Sequence, residues 1–206
     1  MKTMLRTVMS QTITIDQDEW DAFEPHIFTK KIKKRANLIK EGQICSEICF
    51  ILRGSFRQYH IIDGEEKTTF FHFENQNQFA CNYESFLTHQ PSDITIEALE
   101  DSEVLYFTAE TLHRLYRLYP KYEVFGRLIA ENVYLCAMER LKTFLLNSPE
   151  ERYRKFLTTP ESGVILERVP QHYVASYLGI TPVSLSRIRA RLARHNNEKK
   201  KPTLIS

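Results

Sequence analysis

The sequence is short of several things, and each shortage excludes a class. It has four cysteines, Cys45, Cys49, Cys81 and Cys136, scattered with no CxxC pair. That spacing excludes a disulfide framework and a zinc knuckle. No run approaches the roughly eighteen apolar residues of a membrane span. Met1 to Ser10 carries two charged side chains and no long apolar core, unlike a signal peptide. Reduced thiols, a cytoplasmic location and no membrane partner are the expectation. Arginine is absent between Arg57 and Arg114, so any anion bound in that stretch would lack a guanidinium.

What is present suits a folded protein. At 206 residues, with 42% hydrophobic and 26% charged residues, the chain can bury one large core or two modest ones. The 13 Phe and 10 Tyr fit a β-rich part. Net charge is only +2, but unevenly spread. From Leu185 onward seven basic residues (Arg187, Arg189, Arg191, Arg194, Lys199, Lys200 and Lys201) face one acid, Glu198, a net +6 that leaves the rest of the chain at −4. A near-neutral body with a basic end points to a polyanion at that end.

That end carries the most informative stretch, Gln171 to Ala190, QHYVASYLGITPVSLSRIRA. It reads as two helices joined by a tight turn. Val174, Ala175 and Leu178 face inward on the first, Ile180 follows into the core, and Leu185 and Ile188 face inward on the second. Ala175 lets the helices cross closely. Gly179 ends the first where a left-handed residue is cheapest. Thr181 caps the second, with Pro182 at its first position. The outward residues are then Thr181, Pro182, Val183, Ser184, Ser186 and Arg187, with Arg189, Arg191 and Arg194 beyond. Small polar groups and arginines suit base edges and phosphates. A helix-turn-helix lays its second helix in the major groove of double-stranded DNA.

Upstream, Asp16 to Phe28 has Trp20, Phe23 and Ile27 at helical spacing, with Asp16 or Asp18 as cap. The basic run KKIKKR, Lys30 to Arg35, reads as a solvated edge before a strand. From Ala36 to Phe107 the period is two. Ile48–Leu52, Ser55–Ile62 and Thr68–Phe73 read as strands, the last two joined by an Asp63-Gly64 hairpin. Ile94–Ala98 and Val104–Phe107 read as a further pair across Glu100-Asp101. Regular short strands of this kind build a barrel or jelly roll. Ala109–Tyr119 is a helix ended by Pro120. Lys121–Asn147 is a long helix with Val124, Leu128, Leu135 and Met138 on one heptad-like line, and Ile129, Leu141, Phe144 and Leu145 widening its apolar surface. Such a helix buries two faces, one of them against a second copy. Glu150–Leu157 is a helix, Thr158–Gly163 a loop, and Ile165–Arg168 a short link. The residues after Arg194 read as disordered or at most one strand.

The order β-roll, long helix, helix-turn-helix resembles the Crp–Fnr family of bacterial transcription regulators. LIKEGQ (Leu38–Gln43), FILRGSFRQY (Phe50–Tyr59), ALEDSEVLYF (Ala98–Phe107) and YLGITPVSLSRIR (Tyr177–Arg189) carry the resemblance, the last close to short Bacteroidetes-type members. The resemblance implies an α+β chain: a double-stranded β-helix, or jelly-roll, sensor over 1–119, a dimerisation helix over 120–147, and a winged-helix-like DNA-binding domain over 148–206. It implies a homodimer, a two-fold symmetric operator, a small-molecule effector and, for activating members, RNA polymerase as partner.

In members that bind cyclic nucleotides, a Gly-Glu pair follows an aromatic, and an Arg beside a small polar residue clamps the phosphate. Here the aromatic is Phe79, Cys81 and Asn82 stand at the Gly and Glu positions, and Ser92 and Asp93 stand at the Arg and its neighbour. A phosphate buried without a cation is costly, so the expectation is a degenerate pocket closed to cyclic AMP. No cysteine precedes Cys45, which removes the ligands of an N-terminal iron–sulfur cluster. His60, His72, His89 and His113 lack the context of a haem ligand. His72 and Glu74 resemble a fragment of a cupin metal site without its paired histidines. No cofactor, metal or enzymatic activity is expected. Where relatives carry an Arg at the start of the recognition helix, Pro182 and Val183 stand instead, so base readout rests on Arg187 with Ser184 and Ser186, and Val183 meets a thymine methyl. Thr181 and the helix N-terminus hold a phosphate. Arg189 points away from Arg187, toward DNA backbone or the protein body. The alternatives are a β-roll adaptor acting through a protein partner and a cupin-like enzyme with an accessory DNA-binding module.

Overall fold

The computed structural model describes residues 1–74 and 78–199, the last five as backbone only. It forms two compact units, Met1–Glu139 and Arg140–Ser206.

In the first unit, α1 (Lys2–Ser10) and α2 (Gln17–Phe23) precede the sheets. Asp16 opens α2 with a reciprocal capping box to Glu19, which satisfies two backbone donors that a helix start leaves unpaired. Eight antiparallel strands follow: β1 (Phe28–Ile32), β2 (Asn37–Ile39), β3 (Glu47–Arg53), β4 (Ser55–Ile62), β5 (Glu65–Phe73), β6 (Phe79–Ala80), β7 (Thr95–Ala98) and β8 (Ser102–Thr108). They form two four-stranded sheets, in the orders β1-β8-β3-β6 and β2-β7-β4-β5. This is the jelly roll that the short, evenly spaced strands imply. Strand alternation separates two cores. Cys49, Ile51 and Val104 face between the sheets with Phe56, Ile96 and Ala98. Phe50, Leu105 and Phe107 face outward, onto Leu5, Trp20, Phe23, Tyr122 and Phe125. The Asp63-Gly64 hairpin forms, both residues at positive φ (53° and 78°), as a type I′ turn requires.

Two sequence expectations need correction here. β7 and β8 do not pair with each other. β7 lies between β2 and β4, while β8 lies between β1 and β3, so Glu100-Asp101 carries the chain from one sheet to the other. The basic run does not stop short of a strand. Lys30 and Lys31 lie within β1, where Lys30 pairs with Glu47 at 2.7 Å and covers the Tyr106 ring.

After α3 (Tyr83–Thr88) and α4 (Ala109–Leu118), α5 (Pro120–Leu146) runs 27 residues. It passes from the first unit into the second at Arg140. The second unit then holds α6 (Pro149–Leu157), α7 (Ser162–Arg168), α8 (Gln171–Tyr177) and α9 (Pro182–Lys199). α6 opens with a capping box between Ser148 and Glu151. The loop and link expected over 158–168 are largely α7, which buries Ile165. The expected loss of structure after Arg194 is also corrected: α9 continues to Lys199, and residues 200–206 lie outside the described ones. No strand follows Thr108 among the described residues.

Candidate nucleic-acid interface and effector site

α8 and α9 meet through a turn built by local chemistry. Gly179 N–H donates to Ser176 O (2.9 Å) and Ile180 N–H to Ala175 O (3.0 Å), the paired bonds of a Schellman helix end. Gly179 takes φ +65°. The Thr181 hydroxyl accepts from the Ser184 N–H at 3.1 Å, capping α9. Val174, Ala175, Leu178, Leu185 and Ile188 are all buried, as the spacing requires, while Ile180 is half-buried.

This core turns one face of α9 outward. Thr181, Pro182, Ser186 and Arg187 are exposed, and Val183 is 60% exposed. Ser184 is half-buried and receives a hydrogen bond from Thr181 Oγ1 at 3.0 Å. Arg189 is half-buried, consistent with its position behind Arg187. Arg191 is already engaged: it pairs with Glu150, which also binds Arg154 at 2.8 Å. Those cations hold the Glu150 carboxyl below the ordinary glutamate range. Arg187 has no carboxylate partner among the described residues. Arg140, on the last turns of α5, was not apparent as a site residue from sequence. Its Nη2 donates to Tyr177 O at 2.8 Å, and its guanidinium covers the Tyr177 ring at 4.0 Å. Burial draws its pKa below the usual arginine value, while the contact with Tyr177 acts against that.

In the β-roll the candidate effector residues fall into two groups. Asn82, Ser92 and Asp93 come together. Asn82 caps α3, its Oδ1 accepting from Ser85 N–H at 3.1 Å. Its Nδ2 donates to Ser92 Oγ (2.9 Å) and Asp93 Oδ1 (3.1 Å). Ser92 Oγ donates onward to Ile94 O at 2.7 Å. Asp93 also faces His60 Nδ1 at 3.5 Å. The corner thus bonds to itself and presents a carboxylate. Phe79 packs elsewhere, against Phe50 and Phe125. Cys81 lines a half-open cavity of about 230 Å³ with Cys45, Cys49, Leu38, Ile39 and Ile96. Burial pushes the Cys49 thiol up to about 12 and raises the Cys45 and Cys81 thiols too. All three are therefore neutral at pH 7, poor nucleophiles that act as small apolar groups. No cluster of three or more His, Cys, Asp and Glu among the described residues is placed to hold a metal ion. No described helix is long and apolar enough to cross a membrane.

On α5, Leu128 and Met138 are half-buried and Val124 is exposed, while Leu135 is 64% exposed. Val133, Tyr134, Leu141, Leu145 and Leu146 are exposed beside them.

Residues 29–119 match the cyclic nucleotide-binding domain family. Among solved structures, FixK2 from Bradyrhizobium japonicum superposes with a TM-score of 0.68 at 15% identity, over 82% of this chain and 86% of that one. The chain has the Crp–Fnr fold. A CooA mutant from Carboxydothermus hydrogenoformans gives a TM-score of 0.66 at 14% identity, covering 90% of this chain and 83% of its own. A Crp/Fnr-family regulator from Eubacterium rectale gives 0.66 at 16%, covering 88% and 85%. No curated protein sequence matches the chain. The Crp–Fnr fold places a helix-turn-helix after the long helix, as the sequence pattern requires.

Proposed function

We propose that the chain is a homodimeric, sequence-specific DNA-binding transcription regulator whose nucleotide corner does not take cyclic AMP. The observation that carries the reading is the exposed Val183–Ser186–Arg187 face, held out by the buried Leu185 and Ile188. Arg187 reads a guanine edge, Ser184 and Ser186 add polar contacts, and Val183 meets a thymine methyl. Thr181 and Pro182 set the helix N-terminus against a phosphate, and Arg189 serves the backbone. Arg191 acts in part through its pair with Glu150.

A second copy covers the partly exposed apolar line of α5 around Val124, Leu128, Leu135 and Met138. The Asn82–Ser92–Asp93 corner supports the degenerate pocket. Its amide is already spent on internal bonds, and Asp93 would repel a cyclic phosphate, with no arginine among residues 58–113 to compensate. The effector is then either a molecule of other chemistry or none, with activity following protein level. A resident effector shifts the population between two dimer arrangements.

Selection from random double-stranded DNA at fixed salt tests the function. A palindrome should emerge with half-site centres about 34 Å apart, and selection of no sequence overturns the reading. Calorimetry should show no micromolar binding of cyclic AMP.

A further inference from the structure

The end of α5 is tied to the turn of the helix-turn-helix by contacts that ordinary packing would not require. Arg140 donates to Tyr177 O, the last residue of α8, where a helix leaves carbonyls unpaired. Its guanidinium lies over the Tyr177 ring (4.0 Å) and the Phe144 ring (4.9 Å), and no carboxylate pairs with it among the described residues. Arg152 of α6 covers the same Phe144 ring at 5.0 Å and reaches Gly179 O at 3.5 Å. Phe144 in turn abuts Gly179, where an added Cβ would lie 2.6 Å from its Cε1. The turn glycine is therefore constrained twice, by its positive φ and by the ring against it.

We propose that Arg140 and Phe144 are positioning residues for DNA reading: they make the last two turns of α5 part of the reader and set the angle between α8 and α9. The inference rests on the DNA-reading function proposed above. Its lever is short. Arg187 lies five residues into α9 from Pro182, about 8 Å along the axis. A tilt at the turn therefore displaces its guanidinium from a base edge while the helix stays folded. A planar, five-donor cation suits this post because one group both stacks and donates. Any bend that reorients the reader then falls before Arg140, not at the Asn147-Ser148 link.

The test compares affinity for the selected site with affinity for scrambled DNA, at one salt concentration, alongside the thermal midpoint. Arg140→Gln and Arg140→Lys should each lower that ratio, the former by about tenfold, the worth of one base contact. Non-specific affinity should hold, since Arg140 is not on the outward face. Gly179→Asn should lower the ratio similarly. Asn tolerates positive φ, so that loss reports the collision with Phe144, and Phe144→Ala alone should lower the ratio as well. A purely structural role lowers both affinities together with the melting temperature and leaves the ratio unchanged, which overturns the proposal. An unchanged ratio in folded Arg140→Lys and Gly179→Asn overturns it as well, with DNA reading intact. A wild-type chain that selects no sequence is a different result: it removes the DNA-reading function and this inference with it.

Discussion

The corner at Asn82 and the start of α9 use the same device to opposite ends. In both, a short polar side chain caps a helix, Asn82 for α3 and Thr181 for α9. At Asn82 the cap's own amide turns inward. The amide bonds Ser92 and Asp93, and the hydrogen-bonding capacity is used up within the fold. At Thr181 the neighbours turn outward, and Ser186 and Arg187 remain exposed. A cap stabilises a helix in either case. What decides whether it also makes a binding surface is where the next few side chains find their partners.

Removing the support behind the open surface should have the largest effect. Leu185→Ala empties a buried site on α9 and should cost about 2–5 kcal/mol. Thermal unfolding should show the reader melting first while the β-roll signal persists, and a single unchanged transition would show that the two units do not separate energetically. Arg187→Ala should remove about 1–3 kcal/mol of discrimination against the wrong base with little change in stability. Random-sequence selection that returns the same palindrome would assign readout elsewhere. Asn82→Ala should act on the closed side alone. Loss of the cap should cost about 1–2 kcal/mol of β-roll stability, read by denaturant midpoint, and DNA selectivity should be unchanged. A change in selectivity would mean that the corner signals to the reader.

The smallest effect is a pH dependence. The Glu150 carboxyl is held low by Arg154 and Arg191, so its folded pKa lies below its unfolded one. The stability it contributes is present above the unfolded pKa and is lost as pH falls through the folded pKa. Because these pairs are exposed, the contribution is small. Glu150→Gln should flatten the acid limb of the reader's melting curve slightly, and an unchanged limb would show that the pairs are energetically silent.

Much of this was legible in the chain because it rests on neighbours in sequence. The Asp63-Gly64 hairpin, the Gly179 helix end, the Thr181 cap and the inward line Val174, Leu178, Leu185, Ile188 each follow from the conformational preferences of a few adjacent residues. The pairing of β7 with β8 was misread for the same reason. Glu100-Asp101 looks like a hairpin turn locally, but each flanking strand gains more by completing a separate sheet, β7 beside β4 and β8 beside β3. β1 was hidden because its lysines look solvated. It forms because β8 offers an edge and because Glu47 and Tyr106 take up Lys30.

The candidate sites divide along the same line. The sequence by itself determined that α9 would start at Pro182 with an arginine-bearing outer face, since capping and helical period are set within a few residues. It also determined that residues 58–113 would supply no arginine of their own to an anion. Only the tertiary structure decided that Asn82, Ser92 and Asp93 would bond to one another, that Arg191 would pair with Glu150, and that Arg140 would close on Tyr177 and Phe144 on Gly179. Those contacts join residues up to about forty positions apart, and such distances in sequence carry no local signal. They follow from how helices and strands pack once each has formed.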